Sequence, residues 1–295
     1  MRIQEGEMPF MGLKTWYRIA GECVGSKKPL VLLHGGPGST HNYMELFDCL
    51  AEDGRAVITY DQLGCGRSPA PGRTELFNRQ VWVEELAVLI RHLGLRDFHI
   101  LGQSWGGMLL LEYVCTQGQQ GIRSMVLCST LSSSALWGQE QRRMLLELPE
   151  DMREAIRRAD ETGDYSGEAY ARANEEYMLR HCSPRWTEKD PECLTRPKGD
   201  GREAYLTAWG PNEFTPLGNL RDFDRTEELK NIRIPTLVTS GVSDLCTPLV
   251  AKAMADRIPG ARWELFAHSR HMVFAEEHEA YMQLMRRWLS RWEED

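Results

Sequence analysis

The segment Phe98–Tyr113, FHILGQSWGGMLLLEY, constrains this chain more than any other. An apolar run short enough for a buried strand passes through Gly102-Gln103-Ser104-Trp105-Gly106 and continues without a spacer into an apolar, helix-forming run. A strand that turns directly into a helix exposes one residue at the corner. It needs glycine on either side, because a side chain there would collide with the neighbouring strand and helix. Ser104 is that residue, and its hydroxyl falls at a helix N-terminus, where the dipole favours developing negative charge. The bland alternative, a glycine-rich turn carrying an incidental serine, leaves unexplained why suitable partners follow downstream in the order that such a turn requires.

Around this corner the sequence alternates short apolar runs with longer helix-period segments, the signature of βαβ units and a mostly parallel sheet. Leu30–Leu33, Ala56–Tyr60, Phe98–Leu101 and Met125–Cys128 read as buried strands, and Tyr43–Ala51, Val81–Leu93 and Met108–Thr116 as helices. After about Ser129 the chain becomes strongly charged, helix-rich and free of strand-like runs. Strand character returns at Pro235–Ser240 and Trp263–Phe266, each followed by a helix, the last over Tyr281–Trp292. An excursion of this length is too long for an ordinary loop and reads as a lid. The expected organisation is a core over 1–130, a helical cap over 131–225 and the remainder of the core over 226–295.

The returning strands carry the partners of the serine. Asp244 follows the strand PTLVTS, and His271 follows WELF, so both stand at strand C-terminal ends, where open α/β sheets place their sites. A serine hydroxyl is a weak nucleophile until an imidazole takes its proton. The imidazole in turn needs a carboxylate to fix its tautomer and stabilise its charged form. The order serine, acid, histidine fits this chemistry on a nucleophile elbow. His268 is the nearest rival to His271, but it directly follows the strand and is expected to point back along it. Upstream, His34-Gly35-Gly36-Pro37-Gly38 follows the strand LVLL. Its glycines let backbone N–H groups approach a ligand, so the Gly36 amide is expected to donate to an oxyanion together with the amide of Trp105. His34 is expected to hold this loop by a hydrogen bond, and Cys65 to pack near the site without a catalytic role.

Composition narrows the alternatives. With 43 acidic and 35 basic side chains, and no Lys/Arg run longer than a pair, the chain has no phosphate-tracking surface for nucleic acid. No apolar run approaches bilayer length, so no membrane partner is expected. The start, MRIQEGE, lacks the basic and apolar regions of a signal peptide. Eight cysteines are scattered without a C-x-x-C pair and read as reduced thiols in the cytoplasm. A metal site from His181, Cys182 and Cys193 would have too few ligands at too wide a spacing, so no metal is expected. No G-x-x-x-x-G-K-[ST] and no helix-opening G-x-G-x-x-G is present, so no cofactor is expected. An aspartate at the elbow would suit epoxide or haloalkane chemistry; Ser104 excludes it.

Four segments taken together, HGGPG (34–38), DQLGCGRS (Asp61–Ser68), GQSWGG (102–107) and WGPNEF (Trp209–Phe214), resemble the proline iminopeptidases. The likeness is strongest to the branch that includes the archaeal tricorn-interacting aminopeptidase, and it covers nearly the whole chain. It implies an α/β-hydrolase fold, with a mostly parallel central sheet, helices on both faces and an inserted helical cap. It also implies removal of N-terminal residues, often proline, from short peptides or amino-acid amides. In that family the glutamate of the PNEF motif grips the free α-amino group of the substrate, and the matching residue is Glu213. The chain departs from the family pattern at one position. A second glutamate commonly follows the catalytic aspartate there, whereas this chain reads Asp244-Leu245-Cys246-Thr247-Pro248. An ammonium facing one carboxylate instead of two loses a charge-assisted hydrogen bond, about 1.5–3 kcal/mol. An amidase or esterase without strict free-amine recognition is therefore the competing expectation. A hydrolase-fold binding protein without turnover is a remoter one.

Overall fold

A computed structural model describes residues 1–293. Eight strands form one sheet: β1 Ile3–Phe10, β2 Leu13–Ala20, β3 Leu30–Leu33, β4 Val57–Tyr60, β5 Phe98–Gln103, β6 Ile122–Cys128, β7 Thr236–Gly241 and β8 Arg262–Phe266. Their spatial order is β1-β2-β4-β3-β5-β6-β7-β8. β1 pairs antiparallel with β2, and β2 with β4, while every pairing from β4 to β8 is parallel. The central strands are buried on both faces, which is why they read as continuous apolar runs.

Alternate residues of these strands feed two separate cores. Val31, Leu33, Ile100, Met125 and Leu127 pack on one side with Trp82, Leu86 and Leu109. Leu30, Leu32, Leu101 and Val126 pack on the other with Phe47, Phe274 and Tyr281. The period of two thus places a layer of helices on each face. The first layer includes α1 Arg79–His92 and α2 Trp105–Thr116; the second is built from a 3₁₀ segment, Asn42–Asp53, and the C-terminal helices. α1 starts where the sequence supplies a cap, the Asn78 side chain accepting the Val81 amide at 3.1 Å.

Between β6 and β7 come five α-helices, a short 3₁₀ turn at Glu228–Asn231 and no strand of the sheet: α3 Ser134–Leu145, α4 Glu150–Thr162, α5 Glu168–His181, α6 Glu192–Thr195 and α7 Arg202–Ala208. After β7 follow α8 Pro248–Ala255, α9 Val273–Glu276 and α10 His278–Ser290. α8 is opened by Pro248 and by the Thr247 hydroxyl, which accepts the Val250 amide at 3.4 Å. The N-terminal hairpin β1–β2 is the element that the sequence reading does not contain. β1 has most of its residues exposed, and its alternation is carried by Met8 and Phe10 near one end only. Among the described residues no helix is long and apolar enough to cross a membrane.

Candidate active site

Ser104 sits between β5 and α2 with φ 54° and ψ −124°, a left-handed conformation for a residue with a side chain. Such a residue costs on the order of 1–3 kcal/mol, and persists only when its surroundings fix it. Three contacts do so here. The Ser104 amide donates to the Cys128 carbonyl at 2.9 Å, and the Ser104 carbonyl accepts from the Gly107 amide at 2.9 Å and from the Thr130 hydroxyl at 2.6 Å. The flanking glycines are required by close approach. A Cβ on Gly102 would stand 2.3 Å from the Gly106 carbonyl oxygen, and one on Gly106 would stand 2.2 Å from that of Leu33.

His271 and Asp244 meet at the ends of β8 and β7. The Nδ1 of His271 lies 2.7 Å from Asp244 Oδ1, so it carries the ring proton and leaves Nε2 as the basic nitrogen. The carboxylate is fixed by three further donors: the Ser129 hydroxyl at 2.7 Å, the Gly241 amide at 3.1 Å and the Cys246 amide at 2.8 Å. Burial opposes charging of His271. Asp244, with smaller contributions from Glu213 and Glu276, outweighs it and raises the imidazole pKa above its ordinary value. His268 is exposed, its amide bound to Glu277, and lies outside this arrangement.

The loop after β3 is held by the histidine in it. His34 Nε2 accepts the Gln62 amide at 3.0 Å, so its Nδ1 donates to the Gly35 carbonyl at 2.9 Å. Burial lowers its pKa, consistent with a neutral strut. Gln62 also accepts from the indole of Trp105 at 2.6 Å, tying this loop to the elbow. The amides of Gly36 and Trp105 donate to no protein acceptor among the described residues. The DQLGCGRS motif serves packing: Asp61 accepts the amides of His41 and Arg67 and the ring of His41. Cys65, within that loop, is fully buried and does not line the cavity.

Ser104, His271, Gly36 and Glu213 open on one cavity of about 430 Å³. Glu213 reaches it from the segment after α7. The Asn212 side chain accepts the amides of Phe214 and Thr215, at 3.0 and 2.7 Å, and donates to the Tyr170 hydroxyl, while the Trp137 indole holds the Glu213 carbonyl at 2.9 Å. The Glu213 carboxylate accepts the Tyr205 hydroxyl at 2.9 Å, and burial raises its pKa against the opposing influence of His271 and Tyr205. Among the described residues it is the only carboxylate lining the cavity. A narrow recess of about 10 Å³, room for no more than one water, continues inward past Ser104 and Glu213, walled by Met108, Leu131, Trp137 and Trp209. Leu245 lines the main cavity where the family pattern has its second glutamate.

Some positioning groups went unread in the sequence. The His181 carbonyl, at the end of α5, accepts both the Leu245 and the His271 amides at 3.1 Å, joining the two loops that carry Asp244 and His271. Ser129 and Thr130 sit at the end of β6, where a polar pair closing an apolar strand is the available signal. The Tyr43 hydroxyl binds Gly35 and Gln103 under the elbow, with no signal beyond its place after the glycine loop. His181, Cys182 and Cys193 do not form a metal cluster, and none of three or more His, Cys, Asp or Glu exists among the described residues.

This geometry, an elbow serine with a histidine and a carboxylate at the ends of later strands of a mostly parallel sheet, defines a class of hydrolases. The family described as alpha/beta hydrolase fold matches residues 28–278. A proline iminopeptidase of Clostridium botulinum is 56% identical over 291 residues, covering 99% of both chains. Among solved structures, VinJ superposes with a TM-score of 0.90 at 32% identity, over 98% of this chain and 99% of that one. The proline iminopeptidase of Mycobacterium smegmatis superposes at 0.87 and 30% identity over the same shares. The chain belongs to the proline iminopeptidase family of the α/β-hydrolases, a family of hydrolytic enzymes.

Proposed function

We propose that the enzyme removes N-terminal proline, or another small apolar residue, from short peptides and amino-acid amides through an acyl-enzyme on Ser104. His271 Nε2 takes the hydroxyl proton as Ser104 Oγ attacks the carbonyl carbon of the first residue. The oxyanion is met by the amides of Gly36 and Trp105. His271 then returns the proton to the departing amine, and water, deprotonated by the same nitrogen, releases the acyl group as a free carboxylic acid. Asp244 keeps the ring in the required tautomer. The segment 131–225 acts as a cap over this site. It contributes Glu213, which takes the substrate ammonium, and the indoles of Trp137 and Trp209, which pack edge to face at 6.0 Å and form an apolar wall beside the nucleophile. Eight free thiols suit a reducing, cytoplasmic setting.

The observation that carries the reading is Glu213, a lone carboxylate at the mouth of an apolar recess beside the nucleophile. A second reading, an amidase or esterase without strict amine recognition, is favoured by Leu245 alone. Glu213→Gln separates them. For an exopeptidase it lowers kcat/KM on free-amine proline and alanine arylamides by roughly ten- to a thousandfold, the scale of a buried charge-assisted contact. It leaves N-acetylated arylamides and simple aryl esters near their original rates. An equal loss on all substrates would assign Glu213 to support of the cap and leave the amidase or esterase reading in place.

A further inference from the structure

The cavity is charged in opposite senses along its length. Its inner part, continuous with the recess, holds Glu213 among buried residues, including Trp105, Trp137 and Trp209. Its outer part is lined by Lys198 and Arg202, both exposed and both absent from the recess. Neither cation has a carboxylate within ion-pair distance among the described residues. The nearest acid in sequence, Asp200, accepts the Arg202 backbone amide at 2.9 Å and does not line the cavity. Most arginines of this surface are paired, as with Arg143, Arg157, Arg180, Arg185 and Arg196. Lys198 Nζ stands 5.8 Å from the ring centroid of Tyr43, the residue whose hydroxyl bonds to Gln103 next to the nucleophile. The ammonium is thus held at the cavity by a cation–π contact, its charge left uncompensated.

Resting on the aminopeptidase reading above, we infer that Lys198 and Arg202 select zwitterionic peptides of two or three residues by pairing with their C-terminal carboxylate. With the α-ammonium at Glu213 and the first carbonyl at Ser104, the leaving portion has to run outward. Each extended residue advances about 3.3–3.6 Å, so the carboxylate of a dipeptide or tripeptide falls within reach of two long side chains at the mouth. A cavity of about 430 Å³ suits a molecule of this size. A neutral C-terminal amide forfeits the pairing, and a longer peptide carries its carboxylate past the two cations.

The test compares kcat/KM for prolyl-alanine and prolyl-alaninamide. The wild-type enzyme should prefer the free acid by about three- to tenfold at low salt, the scale of two solvent-accessible ion pairs. The preference should shrink towards unity between about 0.01 M and 1 M salt, as the screening length falls from about 30 to about 3 Å. In Lys198→Gln/Arg202→Gln the ratio should be near one at both salt concentrations, and Lys198→Glu should turn it in favour of the amide. Each single glutamine variant should show an intermediate ratio. A wild-type enzyme indifferent to the carboxylate, or a double variant that keeps the preference, overturns the inference while leaving the aminopeptidase reading intact. Failure of the wild-type enzyme to cleave either compound overturns both.

Discussion

His271 shows how a single residue is tuned by what surrounds it. Its Nδ1 faces Asp244, while its amide is pinned by the carbonyl of His181 at the end of α5. A buried imidazole on its own resists protonation, yet Asp244, and beyond it Glu213 and Glu276, make the charged form favourable. In the mechanism proposed above the base form of His271 is the active one, so activity should be present above its pKa and lost below it; a raised pKa moves that loss to higher pH. The acid limb of kcat/KM should therefore have its midpoint above the ordinary histidine value of about 6.5. His271→Ala should abolish hydrolysis, whereas His268→Ala should leave both rate and midpoint in place. A profile flat between about pH 5 and 8, or an exchange of the two variants' effects, would remove His271 from the base role.

At the scale of elements, α1 carries a residue whose environment contradicts its type. Glu85 is fully buried, taking a hydrogen bond from the Thr15 hydroxyl of β2 and one from the Leu63 amide at 3.0 Å, so it joins the N-terminal hairpin to the loop after β4. Burial, the dominant cause, pushes its carboxyl pKa up to about 7. An acid whose folded pKa exceeds its unfolded one binds more protons when folded, so its contribution to stability declines as pH rises from about 4.5 to 7 and stays low above that. A tenfold change in proton affinity corresponds to about 1.4 kcal/mol, which puts the loss on the order of 3 kcal/mol. Glu85→Gln keeps an acceptor for Leu63 and has no charge to bury. Its stability relative to wild type, from urea unfolding at pH 5 and pH 8, should rise by about 1–3 kcal/mol across that interval. A constant difference would mean that Glu85 is not the titrating group. Nothing in VWVEELAVLI marks Glu85 as the buried member of its acidic pair, because the apolar residues around it already satisfy the helix period. The hairpin that receives it was hidden for a related reason: an edge strand with one apolar end gives too little alternation to read. The parallel strands were legible because burial on both faces leaves them uninterruptedly apolar, and the elbow because its glycines are imposed by backbone contact.

The relation of the segment 131–225, proposed above as a cap, to the rest of the chain belongs to the whole molecule, and little of it is legible in the sequence. The charged, helical character of the segment between β6 and β7 signals an insertion, but which loops it touches depends on contacts between positions far apart in the chain. Those contacts form a seam of backbone against backbone. The Gly66 amide donates to the Asp200 carbonyl at 3.0 Å, Gly199 lies against Gly66, and Gly201 lies against Gly38 of the loop that presents Gly36 to the site. A Cβ on Gly201 would stand 2.0 Å from the Gly38 carbonyl oxygen, and its φ of −148° lies outside the left-handed region that favours glycine. Gly201→Ala therefore has to displace either the segment bearing Lys198 and Arg202 or the glycine loop of the core. Displacement by about 1 Å of groups that position a substrate can cost about a hundredfold in rate. Gly201→Ala should lower kcat/KM for proline arylamides by about ten- to a hundredfold, and should lower hydrolysis of a small aryl ester, which needs less of the cap, by a smaller factor. Thermal unfolding should shift to lower temperature as well, because α7, whose N-cap is Gly201, packs Ala204 and Ala208 into the first core. If both substrates are hydrolysed at wild-type rates, the seam is not what positions the cap over the serine; if both fall equally, the substitution acts through the Gly36 loop and the cap is not the part that moved.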